Sequence, residues 1–118
     1  MQRQSNYHKE LKILMNEYVH FVYGLTRKFP REEIYGVISQ IRRSSLSVIL
    51  NYIEGYARIG EASYKNFLKI AYGSLQESKY LLEFSRDEKY LPEADYIKAT
   101  KMADRIGAML WGIISKMK

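Results

Sequence analysis

The stretch Phe29–Arg58, FPREEIYGVISQIRRSSLSVILNYIEGYAR, decides the fold of this chain. It begins with a proline that is followed by two acidic residues, Glu32 and Glu33, a pattern typical of the first turn of a helix. Apolar residues then recur at steps of three and four, as they do on one face of an α-helix. The predicted inner stripe is Ile34, Ile38, Ile41, Ser45, Val48 and Tyr52. The stretch therefore predicts one long amphipathic helix.

The same apolar spacing recurs in three other segments of the chain. The two prolines, Pro30 and Pro92, each stand where one periodic segment ends and another begins, and Gly60 supplies a stop after the second segment. We predict helices at about 6–27, 31–59, 62–85 and 93–117. Sequence patterns place each helix end to within roughly 2 to 4 residues. No segment alternates as a strand would. The pattern is typical of an all-α chain folded as a helical bundle.

Length and composition limit the chain to one domain, residues 1–118. A composition of 47% hydrophobic and 27% charged residues suits a single hydrophobic core. The length of 118 residues is too short for two ordinary domains. Because the chain has no cysteine, disulfides, thiolate metal sites and cysteine nucleophiles are excluded. The N-terminal residues contain neither the apolar core of a secretion signal nor a transmembrane run. We expect a soluble, cytoplasmic protein.

The charge of the chain favours a polyanion as a partner. Nineteen Lys and Arg residues stand against thirteen Asp and Glu residues, which gives a formal net charge of +6. A basic domain attracts nucleic acid electrostatically, although many basic domains bind none. Charge alone thus leaves nucleic-acid binding and simple solubility as alternatives.

The predicted second helix carries more apolar residues than one small bundle can bury. From Leu46 onward they occur on every side of the helix, so part of this surface is expected to contact another subunit. A line of polar residues runs through them at steps of three and four. This line is either a solvated face in which Glu54 and Arg58 pair at i,i+4, or a polar network in an interface or facing a ligand. The candidate oligomer-interface residues are Arg43, Ser47, Leu50, Asn51, Ile53, Glu54 and Arg58.

This helix resembles the signature of a known family, the 23S ribosomal RNA intervening-sequence proteins. The resemblance is carried by Phe29-Pro30-Arg31-Glu32-Glu33, Gln40-Ile41-Arg42-Arg43, Ser47-Val48, Asn51 and Glu54-Gly55-Tyr56, and continues more weakly over nearly the whole chain. Two departures fall close together. Tyr52 and Ile53 replace the Ile-Ala of the family's Asn-Ile-Ala-Glu-Gly, and Ile49 stands where a proline is usual, so the helix should be straighter here.

The resemblance implies an antiparallel, up-down four-helix bundle that assembles into a homo-oligomeric ring, commonly a pentamer. It implies no enzymatic activity and no cofactor. The related accessory proteins of diversity-generating retroelements form similar basic rings that bind nucleic acid and a reverse transcriptase. The partners expected from the resemblance are therefore further copies of the chain, RNA or DNA, and a reverse transcriptase or another protein.

Three groups of basic residues are candidates for contacts with phosphate. Arg42 lies beside the signature, and a guanidinium can bind phosphate oxygens with two parallel donors. A line on the third helix and a ridge on the fourth add further cations, which could equally be solvated outer faces. An intersubunit salt bridge with Glu54 is the preferred interpretation of Arg43. The nucleic-acid-binding candidates are Arg42, Lys65, Lys69, Lys79, Lys98, Lys101 and Arg105.

No catalytic, cofactor or metal site is predicted. His8 and His20 lack partners at i,i+3 or i,i+4, and no nucleophile elbow, phosphate-binding glycine loop or paired zinc motif is present. The leading hypothesis is a non-catalytic, oligomeric helical protein that binds RNA or DNA in a ribonucleoprotein context. The alternative is an interaction scaffold or accessory subunit for a neighbouring enzyme such as a reverse transcriptase.

Overall fold

A computed structural model describes residues 5–117 of the chain. No strand occurs within this range, so the predicted all-α class is confirmed. The helices are α1 (Ser5–Thr26), a 3-10 turn (Arg31–Glu33), α2 (Val37–Tyr56), α3 (Ser63–Asp87) and α4 (Glu93–Ile114).

The core is built from one apolar stripe of each helix. Tyr18 of α1, Ile41 of α2, Leu75 of α3 and Ile106 of α4 are all fully buried within it. Burying an aliphatic side chain of this size contributes roughly 1.5 to 3 kcal/mol, so the stripes supply the main driving force for the fold. Helix α2 packs most extensively on α3, while α1 contacts α2 and α4.

Contacts between neighbouring helices run in opposite sequence order. Ser47 of α2 meets Ser74 of α3, whereas Arg58, later in α2, meets Phe67, earlier in α3. Between α3 and α4, Lys79 meets Asp104 and the earlier Tyr72 meets the later Trp111. These contacts fix which faces of adjacent helices meet.

The predicted start of the second helix at Arg31 is wrong. Residues 31–33 form the 3-10 turn, and α2 begins at Val37 because the backbone of Gly36, at φ −109° and ψ −116°, is not helical. The Glu33 carboxylate accepts a hydrogen bond from the Val37 amide at 3.2 Å, and a Cβ on Gly36 would lie 2.5 Å from that carboxylate. Ile34, predicted to be in the core, consequently lies outside α2 and is 47% exposed.

The other helix ends lie near their predicted positions. Helices α1, α3 and α4 begin and end within three residues of the expected bounds. After α2 ends at Tyr56, the chain turns through Gly60, whose φ of +95° lies in the left-handed region that glycine adopts at little cost. Between residues 5 and 117, no helix is long and apolar enough to span a bilayer.

Candidate nucleic-acid interface

The polar stripe of α2 forms a seam with α3. The guanidinium of Arg43 is ion-paired with Glu77, and the hydroxyls of Ser47 and Ser74 lie 2.8 Å apart. Asn51 donates its side-chain N–H to both the carbonyl and the hydroxyl oxygen of Ser47, at 2.9 Å each. Either hydroxyl can be the donor between Ser47 and Ser74, since an oxygen that accepts from Asn51 can also accept a second hydrogen bond. Many of the hydrogen-bonding and charged groups of this stripe therefore find their partners within one chain.

The ion pairs of this stripe differ in part from the expected ones. Glu54 pairs with Arg58 one turn later, as the i,i+4 spacing suggested, and the Arg58 guanidinium carbon lies 5.0 Å from the centre of the Phe67 ring. Within one chain Arg43 pairs with Glu77 of α3, and the intersubunit bridge to Glu54 stays a prediction. The Arg43 side chain is still about half exposed, so it can contact a second partner.

Beside the seam, the outward face of α2 is apolar. Leu46, Leu50 and Ile53 recur at steps of four and three and are 38%, 55% and 43% exposed, respectively. Val48 and Tyr52 of the same helix are buried in the core. Two apolar faces on one helix explain why hydrophobic residues surround it, and the outer face has the spacing of a helix packing surface.

Two of the seven candidate phosphate contacts are engaged in ion pairs. The Lys79 ammonium lies 2.6 Å from Asp104, and Arg105 pairs with Glu10 of α1. Among the described residues the other five have no carboxylate partner, and three of these five, Arg42, Lys65 and Lys98, make other contacts. Lys65 reaches the carbonyl of Met117 at 3.4 Å, and Lys98 lies 4.8 Å from the centre of the Phe21 ring.

Lys69 and Lys101 are the most available of the predicted contacts. Both are exposed, on α3 and α4 respectively, and neither has an ion-pair or hydrogen-bond partner within residues 5–117. A solvated ammonium without a carboxylate partner keeps its full charge for a passing polyanion. The two ridges therefore present their charge mainly through these lysines and Lys98.

Arg42 belongs to a different part of the surface. It lies near the start of α2, where Arg27 and Arg31 line the same cavity. No sequence spacing groups these three arginines, because Arg27 directly follows α1, Arg31 begins the 3-10 turn and Arg42 lies in α2.

His8 has a packing role that the sequence did not reveal. Its ring stacks on Tyr56, with centroids 3.5 Å apart, and its Nδ1 lies 2.6 Å from the hydroxyl of Tyr52. Burial, and then the nearby Lys12, lower the pKa of His8 from its usual value. Within residues 5–117 no three His, Asp or Glu side chains come together in a way that could hold a metal ion.

Comparisons with known proteins agree with this fold. A family model described as 23S rRNA-intervening sequence protein matches residues 10–112. A 1.70 Å crystal structure from Bacteroides thetaiotaomicron, of a protein of unknown function from the S23 ribosomal protein family, superposes with a TM-score of 0.80. It is 23% identical, and the match covers 90% of this chain and 99% of that one. At this identity the likeness shows the fold alone. No curated protein is significantly similar to the chain.

Proposed function

Because the chain belongs to the 23S rRNA-intervening sequence protein family, we propose that it is a non-catalytic, homo-oligomeric helical protein that binds RNA or DNA through basic outer surfaces. Its setting would be a ribonucleoprotein in the cytoplasm. One observation carries the proposal: five of the seven candidate cations have no carboxylate partner among residues 5–117, in a chain whose formal charge is +6.

Phosphate binding by such surfaces is driven by the release of counterions. Each neutralised phosphate frees condensed cations, so affinity falls with salt in proportion to the number of contacts. Lysines on a convex helix face can follow a flexible strand without reading its sequence. We expect binding to single-stranded nucleic acid with little sequence preference.

A paired substitution tests where nucleic acid binds. Lys69→Gln with Lys101→Gln removes two unpartnered charges from α3 and α4, and should lower the salt slope of single-stranded RNA binding by roughly 0.7 per lost contact. Lys9→Gln with Lys12→Gln removes two charges from the exposed face of α1 and is the matched control. Fluorescence anisotropy over a salt series measures both. Equal effects of the two pairs would reject this placement of the interface.

For assembly, we propose an antiparallel, up-down bundle that forms a ring, most simply a pentamer as in similar proteins. The exposed stripe of Leu46, Leu50 and Ile53 supports a subunit contact, because burying it would remove three large apolar side chains from water. The neighbouring polar residues Arg43, Glu54 and Arg58 remain partly exposed at the edge of this stripe. They would form the polar rim that surrounds an apolar interface core.

A second function uses the same assembly. A ring that forms but binds neither RNA nor DNA would be a scaffold or accessory subunit for a neighbouring enzyme, such as a reverse transcriptase. Its charge would then steer association with that enzyme. The RNA titration separates the two functions.

A further inference from the structure

A cavity of about 210 Å³ opens where the end of α1, the 3-10 turn and the start of α2 meet. Three arginines line it: Arg27, Arg31 and Arg42. The buried side chains of Phe29 and Ile38 also line this space and give it an apolar surface. The cavity is thus a small, partly apolar recess with three arginines in its wall.

Arg42 is held in position before any ligand binds. Its Nε donates a hydrogen bond to the Thr26 hydroxyl at 2.8 Å, and Thr26 itself is only 2% exposed. The Thr26 hydroxyl donates in turn to the Val22 carbonyl at 2.9 Å. On its other side, the Arg42 guanidinium carbon lies 4.6 Å from the centre of the Tyr23 ring. A guanidinium held in this way loses little further freedom when a ligand binds.

Apart from the Arg42 Nε, the side-chain donors of the three arginines have no hydrogen-bond partner within residues 5–117. None of them has an ion-pair partner within residues 5–117, and the Arg42 Nη groups make no hydrogen bond there. The nearby Glu33 carboxylate accepts hydrogen bonds from the Val37 amide and the Tyr90 hydroxyl, and does not line the cavity. The positive charge of the recess is therefore not neutralised by a carboxylate in its wall.

The C-terminal end of α1 reduces this charge only in part. A helix end contributes roughly half a negative charge, against three guanidinium groups. Two of its last carbonyls, those of Leu25 and Thr26, already accept the Lys28 and Phe29 amides at 3.1 Å each. The recess keeps a positive charge of more than two units at neutral pH.

We propose that this cavity binds a phosphate monoester group. Such a group carries a charge of about −1.5 to −2 at neutral pH and three acceptor oxygens, which suit several guanidinium forks. A cavity of about 210 Å³ holds several water molecules, which leaves room for a phosphoryl group. The site is separate from the basic ridges and does not depend on the proposed binding of nucleic-acid strands.

Two sources could supply this group: the 5′ end of a nucleic-acid strand, or a small phosphate compound in solution, such as a mononucleotide. Binding of inorganic phosphate, of adenosine 5′-monophosphate, and of one oligoribonucleotide with and without a 5′-phosphate distinguishes them. A preference of at least tenfold for the 5′-phosphorylated strand assigns the strand end. Tight mononucleotide binding without that preference assigns a free ligand.

Variants test the geometry of the cavity. Arg42→Lys keeps the charge but loses the planar fork and the bond to Thr26. It should weaken inorganic phosphate binding at least tenfold, because charge-assisted hydrogen bonds from the guanidinium are lost. Arg31→Gln, at an exposed position, should weaken binding several-fold without affecting folding. Lys12→Gln, far along α1, should leave it within about twofold. Calorimetry measures binding, and circular dichroism verifies the fold of each variant.

The proposal is overturned if wild-type protein shows no saturable phosphate binding up to about 10 mM at low salt. It is also overturned if Lys12→Gln weakens binding as much as Arg42→Lys and Arg31→Gln do. The protein could bind strands without any preference for the 5′-phosphate and show no binding of inorganic phosphate. That result would keep the proposed function and reject this site. Phosphate binding without strand binding would do the reverse.

Discussion

The hydroxyls of Tyr18 and Ser78 lie 2.7 Å apart in the core and join α1 to α3. Ser78 donates its own proton to the Leu75 carbonyl at 2.8 Å, so Tyr18 is the donor between the two hydroxyls. Burial raises the pKa of Tyr18 to about 12. The pair is therefore neutral at every physiological pH and acts as a directional link inside an apolar core.

This donor order predicts unequal costs for two substitutions. Tyr18→Phe removes the donor and leaves Ser78 bonded to its own helix, so we expect a loss of about 1 kcal/mol in the free energy of unfolding. Ser78→Ala leaves the buried phenol without an acceptor and should cost more, roughly 1 to 3 kcal/mol. Urea unfolding of both variants measures the difference. A larger cost for Tyr18→Phe would contradict this donor assignment.

Stability should depend on pH through His8. Its pKa is lowered in the folded state, so between that pKa and the usual value of 6.5 the unfolded chain binds more protons. The contribution of His8 to the free energy of unfolding is therefore fully present above about pH 6.5. It decreases as the pH falls toward the pKa of His8 in the folded state. The physical cause is burial of the ring, and then repulsion from the nearby Lys12, both of which disfavour the charged imidazolium.

His8→Phe tests this pH dependence. The phenyl ring can still stack on Tyr56 but cannot take up a proton, so the decrease in stability between about pH 7 and pH 5 should become smaller. At neutral pH the variant should be destabilised by roughly 1 to 3 kcal/mol, because the buried Tyr52 hydroxyl loses its hydrogen bond with His8. His20→Gln, at an exposed position of α1, is the control. An unchanged pH profile in His8→Phe would reject the role of His8.

Two helical glycines should respond oppositely to substitution by alanine. A Cβ on Gly55 would lie 3.0 Å from the Phe67 Cβ and 3.4 Å from the Tyr64 carbonyl, neither of which can move without α3, so overpacking should destabilise by about 1 kcal/mol or more. Gly73 has nothing within 4 Å, and its replacement should stabilise by roughly 0.5 to 1 kcal/mol. Thermal unfolding measures both. Stabilisation by Gly55→Ala would show that α2 and α3 pack less tightly at Gly55 than these distances indicate.

The outer stripe of α2 is the proposed contact between subunits. Leu50→Lys places a charge in it, so we expect a smaller assembly, with a mass approaching the 13.9 kDa of one chain. Ile13→Lys makes the same change on α1, where Ile13 is 57% exposed, and should leave the mass unchanged. Light scattering coupled to size exclusion gives both masses. An unaltered mass for Leu50→Lys would remove this stripe from the interface.

Apolar periodicity was sufficient to predict the helical class and most of the core. It failed at Ile34, because a proline followed by acids suits the first turn of an α-helix and a 3-10 turn equally well. Only the backbone of Gly36 shows that the long helix begins afterwards. Tyr52, a departure from the family pattern, was predicted to be buried, but its partner His8 is remote in sequence and could not be inferred.

The site was less predictable than the fold because its contacts join different helices. The spacing of Arg43 and Ser47 put them on one stripe of α2, but that spacing suits solvent, another subunit or α3 equally well. The partners Glu77 and Ser74 become evident only when α3 packs against the stripe. For the same reason the sequence offered Arg42 as a single candidate and did not reveal the cavity that surrounds it.

The most direct test of the proposed function is the affinity of the assembled protein for single-stranded RNA, measured over a salt series in which light scattering verifies the assembly at each point. We expect an oligomer whose logarithmic affinity decreases linearly with the logarithm of salt, with a slope of roughly 0.7 per phosphate contact. Absent binding, or binding that does not change with salt, would contradict the proposal that this family member is a polyanion-binding oligomer.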